Sequence, residues 1–186
     1  MLATATHLKA LPGPADELES LFRDHSDRVL RAAYRITGSA VDAEDVLQTI
    51  FLRLARRQEG VTLAPNPGSY LHRAAVNASL DLVRQRGRLG SVPLEETAEL
   101  AGNAHLSPES QHRSRELRQI IQRAVADLSG KTAEMFVLRY FEGYDNHEIA
   151  DMLGTSQLVV GVLLHRARTK MKKQLNRMLE GENEKD

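Results

Sequence analysis

The residues of this chain best placed to do chemistry are cations. Arg166, Arg168, Lys170, Lys172, Lys173 and Arg177 stand between Ser156 and Leu179 with no acidic residue among them. Such a run neutralises phosphates and releases their counterions, which gives affinity for nucleic acid without reading its sequence. A solvated basic helix would have the same composition, so the setting decides between the two. Catalytic chemistry has less to stand on. His147-Glu148-Ile149-Ala150-Asp151 approximates the H-E-x-x-H zinc spacing, with Asp for the second His, but Ile149 and Ala150 suit the packing of a turn better. No Gly-rich phosphate loop, nucleophile elbow or clustered carboxylate pair accompanies it, so we expect no enzyme, no metal and no cofactor. With no cysteine there is no disulfide framework, thiolate nucleophile or cysteine-ligated zinc. His72 and His165 each lie beside arginines and read as surface histidines near phosphate rather than as ligands.

The elements that must position these cations form a helix-turn-helix. Met135, Phe136, Leu138 and Tyr140 mark a helix over 134–142, which Gly143 stops. Asp145 with Glu148 three residues on is a capping-box arrangement opening a short helix over 146–153, whose buried stripe is Ile149, Ala150 and Leu153. Leu153-Gly154-Thr155-Ser156 is the tight turn, and Ser156 caps a long helix to about 179. Two helices joined by so short a turn belong in a DNA-binding unit, and the cations follow directly.

Upstream the pattern is also helical. Leu18, Leu21, Phe22, Val29, Leu30, Ala33 and Tyr34 space a helix over 18–36 that Thr37-Gly38-Ser39 ends. Val46, Leu47, Ile50, Phe51 and Leu54 line one side of a second, from 42 to about 58. After Pro65-Asn66-Pro67-Gly68, Ser69 caps a third, with Leu71, Ala74, Ala75, Ala78 and Leu82 as its buried stripe, Tyr70 as an anchor in the core and Arg84, Arg86 and Arg88 as a basic exit. From there to about Pro108 the periodicity is lost, and Glu95, Glu96 and Glu99 among Gly and Pro read as an acidic linker. A further helix covers 109–127. Strand signals are almost absent. The expected fold is therefore all-α, with two small helical domains at 15–88 and 109–179 joined by a flexible linker at 89–108.

The 186 residues carry no net charge, but unevenly. Residues 16–48 are acidic through Asp16, Glu17, Glu19, Asp24, Asp27, Asp42, Glu44 and Asp45, while the helices ending at Arg88 and Arg177 are basic. That suits a protein joining a basic protein partner to nucleic acid. No apolar run is long enough for a membrane span, and residues 1–14 lack the makings of a signal peptide, so we expect no membrane insertion and a cytoplasmic location.

Three blocks together resemble the extracytoplasmic-function sigma factors of bacterial RNA polymerase. Asp42-Ala43-Glu44-Asp45-Val46-Leu47-Gln48-Thr49-Ile50-Phe51 is similar to the family's polymerase-binding pattern A-E-D-x-x-Q-x-x-F. Tyr70-Leu71-His72-Arg73-Ala74-Ala75-Val76-Asn77, running on through Asp81 to Arg84, is similar to W-L-x-x-I-A-x-N-x-x-x-D-x-x-R, with Tyr for Trp. Val137-Leu138-Arg139-Tyr140-Phe141-Glu142-Gly143, Glu148-Ile149-Ala150, Leu153-Gly154 and His165-Arg166-Ala167-Arg168 resemble the second domain. Blocks in register over roughly 18–175 are specific where one alone would be weak.

The resemblance implies core RNA polymerase and promoter DNA as partners, with room for an anti-sigma factor. It assigns Asp45, Gln48, Phe51 and Arg53 to polymerase contact or its support, although Phe51 reads equally well as core. Arg73 and Asn77, with the basic exit Arg84, Arg86 and Arg88, would meet the downstream minus-ten element, and the loop 60–67 would shape a pocket for a flipped base. Asp81 could instead brace Asn77 and Arg84 on the helix surface. The linker would thread toward the polymerase active site and RNA exit, or act as a plain tether.

The recognition helix departs from the family. After L-G-x-S the family pattern is roughly x-G-T-V-K-S-R-L-H-R-A-R, whereas this chain has Gln157-Leu158-Val159-Val160-Gly161-Val162-Leu163-Leu164-His165-Arg166-Ala167-Arg168. Val160 and Leu164 match inward positions. Ser156, Val159, Val162 and Leu163, with Arg166, Arg168 and Lys170, are the expected DNA-facing set, but aliphatic side chains cannot pair with base edges. About 1 to 3 kcal/mol of discrimination per bidentate contact is thereby forfeited. We expect phosphate grip with weakened reading of the upstream minus-thirty-five element, and an aliphatic patch of the kind that contacts protein. The alternative reading is a sigma-like decoy or adaptor that binds a regulator without initiating transcription.

Overall fold

The computed structural model describes residues 14–56, 66–89 and 108–183. Within them the chain forms seven α-helices and no strand: α1 (Pro14–Thr37), α2 (Ala40–Ala55), α3 (Pro67–Leu89), α4 (Pro108–Ala126), α5 (Gly130–Tyr140), α6 (Asn146–Leu153) and α7 (Gln157–Asn183). The expected base-pocket loop at 60–67 lies mostly outside the described residues, and residues 90–107 of the expected acidic linker, with Glu95, Glu96 and Glu99, lie outside them.

Local chemistry sets the boundaries. Gly38 sits at φ +70° between α1 and α2, a left-handed conformation that ends the first helix, and Ser39 caps the second by accepting the Asp42 amide. Several starts differ from the sequence expectation: α1 begins at Pro14 rather than 18 and α2 at Ala40 rather than 42, and α3 and α5 also begin earlier. Helix α3 begins at Pro67, and Asn66 rather than Ser69 is its cap, with Asn66 Oδ1 accepting the Ser69 amide at 3.0 Å. Proline at the first helical position needs no amide partner, which favours the earlier start. Helix α5 begins at Gly130 rather than near 134, extending toward α4 through a short turn at Leu128 and Ser129.

Helices α1, α2 and α3 close around Val29, Ala33, Val46, Ile50, Phe51, Leu54 and Leu71. Helices α4 to α7 enclose Val125, Met135, Leu138, Ile149, Val160 and Leu164, and this second core continues into Ile36 of α1 and Val76 and Leu80 of α3. The two modules therefore share apolar surface instead of standing apart. Burial of a side chain of this size contributes roughly 1.5–3 kcal/mol relative to exposure. As a result α3 is covered on two sides, with Leu71, His72, Ala75, Val76, Ser79 and Leu80 all buried. Two residues of α3 depart from the sequence expectation, and the two-sided coverage accounts for the first. His72, expected at the surface, is 1% exposed, and Tyr70, expected as a core anchor, is 39% exposed.

Candidate polymerase and nucleic-acid interface

Asp145 positions the helix-turn-helix. Its carboxylate accepts the His147 and Glu148 amides, both at 2.8 Å, while Glu148 Oε2 accepts the Asp145 amide at 2.8 Å, completing the capping box. Those amide donors, that of Glu148 foremost, hold the Asp145 carboxyl below its ordinary range. Gly154, at φ +60°, closes α6 in the left-handed conformation, and Ser156 Oγ accepts the Val159 amide to open α7. His147 and Asp151, the ends of the zinc-like spacing, face solvent with 3.7 Å between Nδ1 and Oδ2. Among the described residues no group of three or more His, Asp or Glu is placed to hold a metal ion.

Helix α7 buries Val160, Leu164, Ala167 and Met171, which fixes its outward face. Leu158 is 78% exposed, and Val159 and Val162 are 42% and 44% exposed. Leu163 instead leans on the core, and Ser156 spends its hydroxyl as a cap. Arg166 and Arg168 are exposed. Lys170 donates through Nζ to the Asp127 carbonyl just beyond α4, and Gln174 donates to the Asp127 carboxylate at 2.9 Å, so these two tie α7 to α4. A cation there meets the negative end of a helix.

In the first module Asp45, Gln48 and Arg53 are exposed on α2, whereas Phe51 is buried and packs edge-on against Phe22 with ring centroids 5.0 Å apart. Phe51 thus props the surface that the other three present. A groove of about 450 Å³ between α2 and α3 gathers Asp45, Arg53, Tyr70, Asn77 and Asp81. One cleft therefore brings together candidates assigned to polymerase and to DNA.

The arginines of α3 are placed unequally. Arg88 is exposed. Arg86 donates to both carboxylate oxygens of Asp42, which is 2% exposed. Arg84 pairs with Asp81 at 3.1 Å, the brace the spacing allowed, and also donates to the Ala126 and Leu128 carbonyls at 3.0 and 3.3 Å. Arg73 donates to Glu134 Oε1 at 2.9 Å and to the Met152 carbonyl at 2.8 Å. Sequence reasoning missed the Asp42–Arg86 pair because Asp42 looked like an ordinary first-turn acid. No local spacing links two residues on different helices.

His72 occupies the seam between the modules. Its ring stacks edge-on against Tyr144 with centroids 5.6 Å apart, and its Nε2 lies 3.5 Å from Glu142 Oε2, which Arg35 also approaches at 3.1 Å. Arg28 donates to the Tyr144 hydroxyl. Burial pushes the His72 imidazole below its ordinary value of 6.5, with Arg28 and Arg35 acting the same way and Glu142 opposing them.

Comparison with known proteins supplies the class. The model of Sigma-70 region 2 matches residues 21–89, and that of Sigma-70, region 4 matches residues 118–171. A region 2 bundle followed by a region 4 helix-turn-helix defines a sigma factor of the sigma-70 type. The chain is 33% identical over 157 residues to the ECF RNA polymerase sigma factor SigE of Mycolicibacterium smegmatis, covering 83% of this chain and 60% of that one. It is 31% identical over 163 residues to the RNA polymerase sigma-E factor of Streptomyces avermitilis, covering 88% and 87%. The chain belongs to the extracytoplasmic-function (ECF) sigma factor family, whose members are transcription initiation factors and not enzymes. Among solved structures, the sigma factor RpoE in its complex with the anti-sigma factor NepR from Bartonella quintana is similar over 87% of this chain and 96% of that one. The identity there is 18% and the TM-score 0.47.

Proposed function

We propose that this sigma factor recruits core RNA polymerase through residues 15–88 and holds the minus-ten element with the same module. Residues 89–108 act as the tether, and residues 109–179 grip upstream DNA mainly by its phosphates. Asp45, Gln48 and Arg53 contact polymerase over Phe51; Asn77, Arg73, Arg84 and Arg88 serve the melted strand, while Arg86 is spent on the buried Asp42; and Arg166 and Arg168 serve upstream phosphates. The site of action is the cytoplasm, and the class of protein regulator it invites is an anti-sigma factor. No helix among the described residues is long and apolar enough to cross a membrane.

The observation that carries the weakened upstream reading is the outward face of α7. Leu158, Val159 and Val162 occupy it, and none of them has a donor or acceptor for a base edge. Run-off transcription with core polymerase tests the proposal on a promoter selected by the holoenzyme. Scrambling the minus-ten element should abolish the transcript, while scrambling the minus-thirty-five element should lower it only a few-fold. A sharp upstream motif that depends on Val159 and Val162 would overturn the weak-reading proposal. Polymerase binding with no promoter-dependent transcript would favour the decoy instead.

A further inference from the structure

We propose that the outward face of α7 reads thymine by its methyl group, so that upstream contact carries a shallow preference for thymine where Leu158, Val159 and Val162 meet the bases. The inference rests on the reading that α7 grips upstream DNA, and it names the base chemistry met there. In the major groove guanine offers two acceptors, adenine an acceptor and a donor, and cytosine a donor, whereas thymine adds an apolar C5-methyl group. An aliphatic side chain laid on a polar edge strips its water and returns no hydrogen bond. Laid on the methyl group it buries apolar surface on both partners, so thymine is the base this face favours.

The face is placed for that contact. Gly154 in its left-handed turn and Ser156 as the cap start α7 directly after α6. Leu158, Val159 and Val162 therefore fall in its first two turns, where the recognition helix of a helix-turn-helix meets base edges. Val159 and Val162 are β-branched, and in a helix each is held close to one rotamer, so their methyl groups have little freedom left to lose on contact. Val162 stands three residues after Val159 and four before Arg166, which puts all three on one stripe of the helix. Arg166 is exposed, and no acidic residue stands between Ser156 and Leu179. The apolar tip thus continues into a cationic surface. Duplex DNA offers both halves of that complement in the same order, a methyl group in the groove and phosphates along its rim.

Deoxyuridine pairs as thymine does and lacks only the methyl group, which makes it the probe. Core polymerase carrying this chain is bound to a promoter that it selects from genomic fragments, and thymine in the minus-thirty-five element is then replaced by deoxyuridine. Each methyl group lost should weaken binding about fourfold, the worth of one buried methylene-sized group. The same replacement in the spacer between the two elements should change nothing. Val159→Ala with Val162→Ala, at exposed helical positions that alanine suits, should lower affinity for the thymine promoter to that of the deoxyuridine promoter and leave the latter nearly unchanged. An upstream element without thymine, parent affinity indifferent to upstream deoxyuridine, or a difference that survives in the double variant overturns the proposal. A double variant that loses transcription by the same factor from both templates assigns the face to a protein partner and overturns it too. In each of these cases promoter-dependent transcription by the parent would show that the sigma-factor reading stands, and its absence would remove both.

Discussion

His72 is a buried titratable side chain at the seam between the modules. Neither ring nitrogen has a hydrogen-bond partner, and burial, with Arg28 and Arg35 nearby, lowers the imidazole's pKa against the pull of Glu142. A histidine whose folded-state pKa is depressed costs nothing while the exposed ring is also neutral. Stability is therefore retained above the ordinary value of 6.5 and falls as pH drops through it toward the depressed value. We expect a loss of up to about 1.4 kcal/mol per pH unit over that interval, seen in denaturant melts from pH 7.5 to 5.5, with His72→Gln flattening the slope. An equal slope in His72→Gln would move the effect elsewhere. Arg86 makes a second prediction at this scale. Removing it strands the buried Asp42 carboxylate, so Arg86→Ala should cost about 3 kcal/mol in a urea melt, and Arg86→Lys should recover only part of it.

Among the elements, α7 carries the most information. Gly161 weakens its second turn, and a Cβ there would sit 3.9 Å from Asn146 Nδ2, an ordinary contact. Gly161→Ala should therefore raise stability by about 0.5–1 kcal/mol, measurable by thermal or urea melting. Arg166→Ala and Arg168→Ala should each weaken DNA binding evenly across sequences and reduce the salt slope by about one. An unchanged slope would remove those residues from the phosphate set. The helices with the strongest local signals were the most legible in the sequence. Asp145 with Glu148, Gly154 and Ser156 mark α6 and the start of α7 chemically, and the structure places those boundaries where the residues do. The start of α3 was less legible, because Asn66 and Ser69 are both good caps and only Pro67 distinguishes them. The buried positions of His72 and Asp42 could not be read at all, since each depends on a partner helix remote in sequence.

For the whole molecule, family and fold were legible because three motif blocks kept their order and spacing across both modules. The shared core was not. Ile36, Val76 and Leu80 read as the inner faces of a small bundle, and nothing in their local pattern shows that a second module completes their burial. Arg73, Arg84 and Arg86 of α3 are where the two levels meet, since these residues, suited to DNA by type, spend donors within the chain. The most direct test of the sigma-factor account is permanganate footprinting of genomic promoter fragments mixed with core polymerase, with and without this protein. The account predicts reactive thymines around the minus-ten element only when all three are present, and their loss with Asp45→Lys or Gln48→Ala. Failure of the chain to co-migrate with core polymerase, or melting that occurs without it, would contradict the account.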